Sequence, residues 1–288
     1  MHARFLRKGE EKKWFDLMGE ESDELFTQVA DYRPESHIIV EKDDKIVGGM
    51  NLIIDEPDLL MLFNPKLVID SALDLLLRKA IETAKSLKVN EVFSLIHGSN
   101  DRFQTIERLL KESNFVFGMK KILYELKSAE LSKTNVRSAL TYESLSQDNE
   151  DDFINIFKAV YQPDIFESDA ERCFMDLRKG AMKTKRFYAE DWEIACRSIT
   201  YVGITMPQLH DERGEIGSNY YLGVIPEERK KGYGRALQRR AVETLHKRGA
   251  KMIVGSTEPE NTAMIKVFES LGYEFTEYQY FYKYSGVL

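Results

Sequence analysis

Cysteine is almost absent: Cys173 and Cys196 are the only two in 288 residues, and neither belongs to a CxxC pair. That excludes a disulfide framework and a thiolate metal site, and both thiols read as small, partly buried apolar side chains. Five histidines show no metal-ligand spacing, so no metal is expected. No run of eighteen uncharged apolar residues occurs, and none follows the basic residues near Met1, so the sequence predicts neither a membrane span nor a secretion signal. A positive excess is lacking too. Forty-one Lys and Arg stand against 48 Asp and Glu, a net charge of −7, which argues against a general nucleic-acid or anionic-membrane partner. A reducing, cytoplasmic setting is the expectation.

What is present is globular: 43% hydrophobic residues, 11% aromatic and 31% charged are enough to build cores and keep a wet surface. The length favours two domains of ordinary size. His37 to Val40 and Lys45 to Ile54, around Asp43 and Asp44, read as a hairpin. Asp70 to Leu87 carries Leu73, Leu76, Leu77, Ala80, Ile81 and Ala84 at helical spacing. Glu91 to Ile96 reads as a strand, Arg102 to Ser113 as a helix, and Phe115 to Leu126 as a closing pair of strands.

The same order returns later, and a single offset superposes Asp74 on Gly232, Ile96 on Val254, Leu110 on Phe268 and Phe115 on Tyr273. Gly232 to Arg248 reads as a helix, Lys251 to Ser256 as a strand, Asn261 to Leu271 as a helix and Tyr273 to Tyr284 as a second closing pair. Ahead of them come a strand near Leu140 to Leu145, helices over Asp151 to Tyr161 and Ser168 to Arg178, and strands near Lys185 to Glu190, Glu193 to Met206 and Glu215 to Val224. The polar stretch Ser128 to Arg137 has linker composition, which places a domain boundary between residues 130 and 131. The expected architecture is an α/β (α+β) sandwich duplicated in tandem, 1–130 and 131–288.

Residues 220–237 read strand, turn, helix N-terminus. Unpaired amides and partial positive charge at a helix start favour an anion. Gly232 and Gly234 lack a Cβ and admit a phosphate to the backbone, and Arg229, Lys230, Lys231 and Arg235 supply a charged rim. A helix start with two glycines also occurs as a plain turn. Further on, Asn261 is a good helix N-cap and Gly272 a good stop.

Together the two segments resemble the GNAT superfamily of N-acetyltransferases. Arg229, Gly232 and Gly234 match its acyl-CoA motif, and Asn261, Met264, Phe268, Gly272 and Tyr273 match its later one. The resemblance covers roughly Ser138 to Tyr284, with a degenerate copy in the first half. It implies two tandem domains, each a mixed, mostly antiparallel sheet flanked by helices. It also implies that the strand ending at Val224 splays from the one ending at Ser256, so that Leu222, Gly223 and Val224 hold pantetheine. The amides of 229–235, Tyr233 among them, would hold the pyrophosphate, and Asn261 and Phe268 would line the site. The reaction implied is direct attack of a primary amine, on a small molecule or peptide, on the thioester of acetyl-CoA.

The sequence departs from the family at two places. The frequent general-base glutamate falls at Ser218 and the frequent general-acid tyrosine at Phe268. By strand alternation Tyr220 shares a face with Ser218, which makes it a candidate acid; Glu258 is the candidate base and Glu215 a further one. These departures keep a second reading open, a non-catalytic acyl-CoA-binding or sensing module, and a third, a ligation enzyme on the same fold. In the first half an acid and a leucine, Asp74 and Leu76, replace the two glycines, and Phe103 stands in place of Asn261. That half is expected to bind no acyl-CoA.

Overall fold

The computed structural model describes residues 1–18, 34–55, 58–130, 140–167, 169–183, 186–210 and 214–288. They form two compact units, Met1–Lys121 with Glu277–Leu288, and Ile122–Thr276.

The first unit contains β1 (His2–Phe5), α1 (Glu11–Met18), β2 (His37–Lys42), β3 (Lys45–Asp55), β4 (Leu59–Leu67), α2 (Ala72–Leu87), β5 (Glu91–His97), α3 (Phe103–Glu112), the start of β6 (Phe115–Lys127) and most of β12 (Glu274–Tyr284). The strand order is β1-β2-β3-β4-β5-β12-β6, and β4 and β5 run parallel. The helical spacing read along α2 is its buried stripe: Leu73, Leu76, Leu77, Ala80 and Ala84 pack with Ile38, Met50, Leu62 and Ile96. At the other edge, Arg4 on β1 binds both Glu10 (2.7 Å) and Glu41 (2.9 Å). The Arg4 guanidinium holds the Glu10 carboxyl down to about 2. A depressed carboxylate stabilises the fold above its unfolded value and loses that contribution as pH falls towards its folded one. In an acid titration the wild type should therefore hold the first unit to lower pH than Arg4→Met does, read by tryptophan fluorescence from buried Trp14. Coincident acid transitions would contradict this.

The second unit contains the end of β6, β7 (Thr141–Ser144), α4 (Glu150–Val160), α5 (Ala170–Lys183), β8 (Glu193–Arg197), β9 (Thr200–Leu209), β10 (Ile216–Val224), α6 (Tyr233–Lys247), β11 (Met252–Thr257) and α7 (Thr262–Leu271). Its order is β6-β11-β10-β9-β8-β7, with β10 and β11 parallel. On one face α4 and α5 bury Phe153, Phe157 and Phe174 around Trp192. On the other, α6 and α7 bury Val242, Leu245 and Phe268 against Ile253 and Leu209. Each unit is thus a mixed, mostly antiparallel sheet flanked by helices, as expected from the sequence.

Several elements differ from the sequence expectation. The two closing strand pairs are instead single long strands, β6 and β12. Residues 122–127 of β6 pair with β11, and residues 279–283 of β12 pair with β5. The second compact unit begins inside β6, and the first reclaims the end of β12. Most of the expected linker, 131–137, lies outside the described residues. The expected strand Glu193 to Met206 is a hairpin, turned at Ser198 with φ 55°. The described part of the expected strand Lys185 to Glu190 ends in a short 3-10 turn, Ala189–Asp191, drawn in because Arg248 bonds both Glu190 and Asp191 at 2.9 Å. Strands β1 and β4 and helix α1 were not expected. Pro65 lies inside β4 and masks it, because proline is depleted in paired strands.

Candidate active site

The register of β10 with β11 ends early. Ile216, Gly217 and Ser218 pair with Met252, Ile253 and Val254, and beyond that point the strands part. The expected splay is therefore present, and its apex is Ser218. A one-residue bulge in β10 against β9, between Asn219 and Leu222, accompanies it. The bulge is held by Asn219, whose Oδ1 accepts from Met206 N (2.8 Å) while Nδ2 donates to Thr205 Oγ1 (2.9 Å) and Gln238 Oε1 (3.2 Å). Gln238, buried on α6, in turn donates to the Tyr273 hydroxyl at 2.7 Å. A buried amide chain with every link made is costly to break, so it fixes where β10 turns away.

Past the bulge, Ile225 N donates to Val202 O on β9 (2.9 Å). By alternation Gly223 also faces β9, and Leu222 and Val224 turn their backbone groups to the side that β11 has left. Val224 O accepts from Arg229 Nε at 3.0 Å, so one of these carbonyls already has a partner. The Gly223 position lies hard against α4, where a Cβ would come within 2.2 Å of Val160 Cγ2.

Residues 225–232 then carry the chain into α6. Gly232 is its N-cap at φ 83°, with no side-chain cap, and the first-turn amides have no intrahelical acceptor. A Cβ on Gly232 would meet nothing within 4 Å, and one on Gly234 only Val267 and Val224 at 3.7 and 3.9 Å. Packing therefore does not require glycine at 234, although glycine in a helix costs about 0.5–1 kcal/mol relative to alanine. Space left open over bare amides at a helix start fits a phosphate. Arg229, Lys230 and Lys231 are exposed around it, Lys231 pairing with Glu228 at 3.0 Å. Tyr233 packs into the cluster of Leu222, Val224 and Leu237. Arg235 reaches Ser270 O at 3.4 Å.

The remaining predicted residues are placed less pointedly. Asn261 caps α7, its side chain accepting from Met264 N at 3.1 Å. Phe268 is buried in the core between Tyr124 and Tyr273 and lies flush on Gly255, where a Cβ would sit 2.6 Å from its ring. It brings no hydroxyl to the cleft. Glu258 is exposed in the turn after β11, its carbonyl accepting from Asn261 N. Glu215 is taken up by Lys251 at 2.5 Å. Tyr220 is half-buried, and burial pushes its hydroxyl pKa up, so it stays protonated at neutral pH. Burial also raises both thiols, Cys196 to about 11, so neither is a thiolate nucleophile.

One residue was overlooked. His210, just past β9, places Nε2 2.7 Å from Ser218 Oγ and its ring 5.3 Å from that of Tyr220. The signal was available, since a hairpin of β9 and β10 puts His210 on the same face as Ser218 and Tyr220.

In the first unit the corresponding strands β4 and β5 keep register as far as Phe63 and Leu95. There the gap is stitched. Asn64, at φ 35°, accepts from His97 N (3.3 Å) and Asn100 Nδ2 (2.9 Å), and Asn100 Nδ2 also donates to Pro65 O (3.0 Å). Leu76 is buried, and Asp74 pairs with Arg78 at 3.0 Å. Phe103 packs against Tyr280, their rings tilted with centroids 4.6 Å apart.

Parted parallel strands beside a glycine-started helix leave a cleft that suits an extended anionic ligand. The acetyltransferase (GNAT) family model matches residues 142–273. The match lies in the second half of the chain and covers a little under half of it. A crystal structure of a GCN5-related N-acetyltransferase from Sphaerobacter thermophilus is similar in fold over 98% of this chain and 94% of that one, with a TM-score of 0.66 and 13% identity. A tandem GNAT protein from the clavulanic acid biosynthesis pathway aligns over 98% and 97%, with a TM-score of 0.64 and 12% identity. A mycothiol acetyltransferase of Thermobispora bispora is 37% identical over 84 residues, 28% of each chain. The chain spans no more than about a third of the length of the curated mycothiol acetyltransferases it matches. Among the described residues no helix is long and apolar enough to cross a membrane, and no group of three or more His, Cys, Asp or Glu is placed to hold a metal.

Proposed function

We propose that the second unit binds acetyl-CoA and transfers its acetyl group to a primary amine by direct attack, without an acyl-enzyme. The observation that carries this is the parting of β10 from β11 after Ser218, beside the bare start of α6. Pantetheine would lie along Leu222, Gly223 and Val224 like a missing strand, with its pyrophosphate on the amides of 229–235. Arg229, Lys230, Lys231 and Arg235 would form the rim, and Asn261 and Phe268 the wall beyond. The work of the site is to hold the amine near the thioester carbonyl and move protons. Tyr220, kept protonated by burial, is the proposed donor to the leaving thiolate. The first unit, stitched at Asn64 and Asn100, takes no acyl-CoA. The acceptor is a small-molecule or peptide amine and the setting cytoplasmic.

Thiol release from acetyl-CoA is the test, with and without a panel of primary amines including spermidine and an aminoglycoside. Release that depends on amine, and that falls in Tyr220→Phe, is the expected result. Binding of acetyl-CoA with no amine-dependent release would favour the second reading, an acyl-CoA sensor, to which the apolar, buried Phe268 already lends weight.

A further inference from the structure

His210 and Ser218 meet where β10 and β11 separate. Ser218 is the last β10 residue paired to β11, so its hydroxyl sits at the apex of the cleft. His210 is fixed on the same face: its backbone N donates to Ile216 O (2.9 Å), its Nε2 lies 2.7 Å from Ser218 Oγ, and its ring rests on Tyr220 at 31°. Gly217 and Asn219 point the other way, to Leu245 and Gln238 of α6. The pair thus lies on the face opposite α6, the side of α4 and α5, from which an acceptor can approach without crossing the helix that starts at Gly232. Glu258, the carboxylate expected to serve as base, is an exposed turn residue with no such support.

We propose that Ser218 and His210 form the proton relay of this site, which deepens the acyl-transfer reading and rests on it. The acceptor ammonium gives a proton to Ser218 Oγ as the Ser218 hydroxyl proton passes to His210 Nε2. The freed nitrogen lone pair forms the C–N bond at the thioester carbonyl carbon. The C–S bond breaks, its electron pair leaves on sulfur, Tyr220 protonates the thiolate, and the second proton that the nitrogen sheds as it becomes an amide restores the Tyr220 hydroxyl. An imidazole titrates near neutrality and so can take a proton at physiological pH. The histidine acts through the serine, and the neighbouring Tyr220 ring keeps its Nε2 aimed.

Turnover is followed as thiol release from acetyl-CoA, with spermidine and with water as acceptors, and acetyl-CoA binding by calorimetry. His210→Ala should lose about 10²-fold in kcat, the usual scale for acid–base catalysis, with KM for acetyl-CoA within about twofold. Added imidazole should recover part of the loss, since the missing ring leaves a place beside Tyr220. His210→Gln, which can still bond Ser218, should stay slow, which a purely structural role would not require. Ser218→Glu in the His210→Ala background should regain turnover by placing a base at the apex. Wild-type turnover in His210→Gln, or a loss confined to Glu258→Gln, would overturn the relay while leaving acyl transfer standing. A wild type that binds no acetyl-CoA would instead overturn the underlying reading and the relay with it.

Discussion

Replacing Gly232 and Gly234 together by aspartate will abolish acetyl-CoA binding while leaving the protein folded. The wild type should titrate with one molar equivalent per chain, and at a hundredfold excess over Kd the ligand should add about 2.7 kcal/mol of stability. The variant should show neither effect. The design separates binding from folding because a carboxylate in the first helical turn is favourable to the helix dipole by about 0.3–1 kcal/mol, whereas the same charge repels a pyrophosphate. Space is available: a side chain at 232 meets nothing within 4 Å, and one at 234 makes only ordinary contacts, so the cost to folding is the strain of a side chain at φ 83°, which aspartate tolerates better than most residues. Binding that survives in the variant would remove the phosphate loop from the site. A second equivalent in the wild type would show that the first unit also binds, against the stitching by Asn64 and Asn100.

The second large effect is steric. Gly223→Ala would bring a Cβ to 2.2 and 2.5 Å from Val160 Cγ2 and Cβ. Neither partner can retreat easily: β10 is paired to β9 at Gly223 and Ile204, and Val160 ends α4 beneath Tyr221, whose hydroxyl donates to Val160 O at 3.3 Å. Overpacking of this kind costs about 1–3 kcal/mol, and about 2 kcal/mol corresponds to roughly 6 °C in Tm for a unit of this size. Adding Val160→Ala should restore part of the loss, so the double variant should melt above Gly223→Ala alone. If Gly223→Ala melts within a degree of wild type, the contact with α4 is not as described. If the double variant melts no higher, strain at another neighbour dominates.

What the sequence made legible was whatever depended on residue type and short spacing. The start of α6 at Gly232, the cap of α7 at Asn261 and the buried stripe of α2 all follow from chemistry within a few residues. The location of the cleft was legible for the same reason, since the glycine-spaced loop and the strand before it are contiguous. What escaped depended on distant partners. Asn219 looks like any polar strand residue until Gln238 and Tyr273 close around it, and His210 gains meaning only through Ser218. Residues 122–127 alternate as a strand would, but alternation records a face and not a neighbour, so the pairing with β11 could not be read. The Arg197–Thr200 turn was missed because the apolar residues on its two sides read as one strand.

The division of β6 and β12 between the units has a consequence for how the protein is made. The second unit is a continuous segment, Ile122–Thr276, but the first needs Glu277–Leu288, whose strand lies beside β5. On the ribosome the earlier-made unit is therefore the one that must wait. Until residues 279–283 emerge, β5 presents an open edge, and an uncovered edge is a template for pairing with other chains. A chain stopped at Thr276 would keep every residue proposed to touch acetyl-CoA and yet leave Phe93, Leu95 and His97 without their partner strand. Its failure would show as aggregation during synthesis rather than as lost affinity.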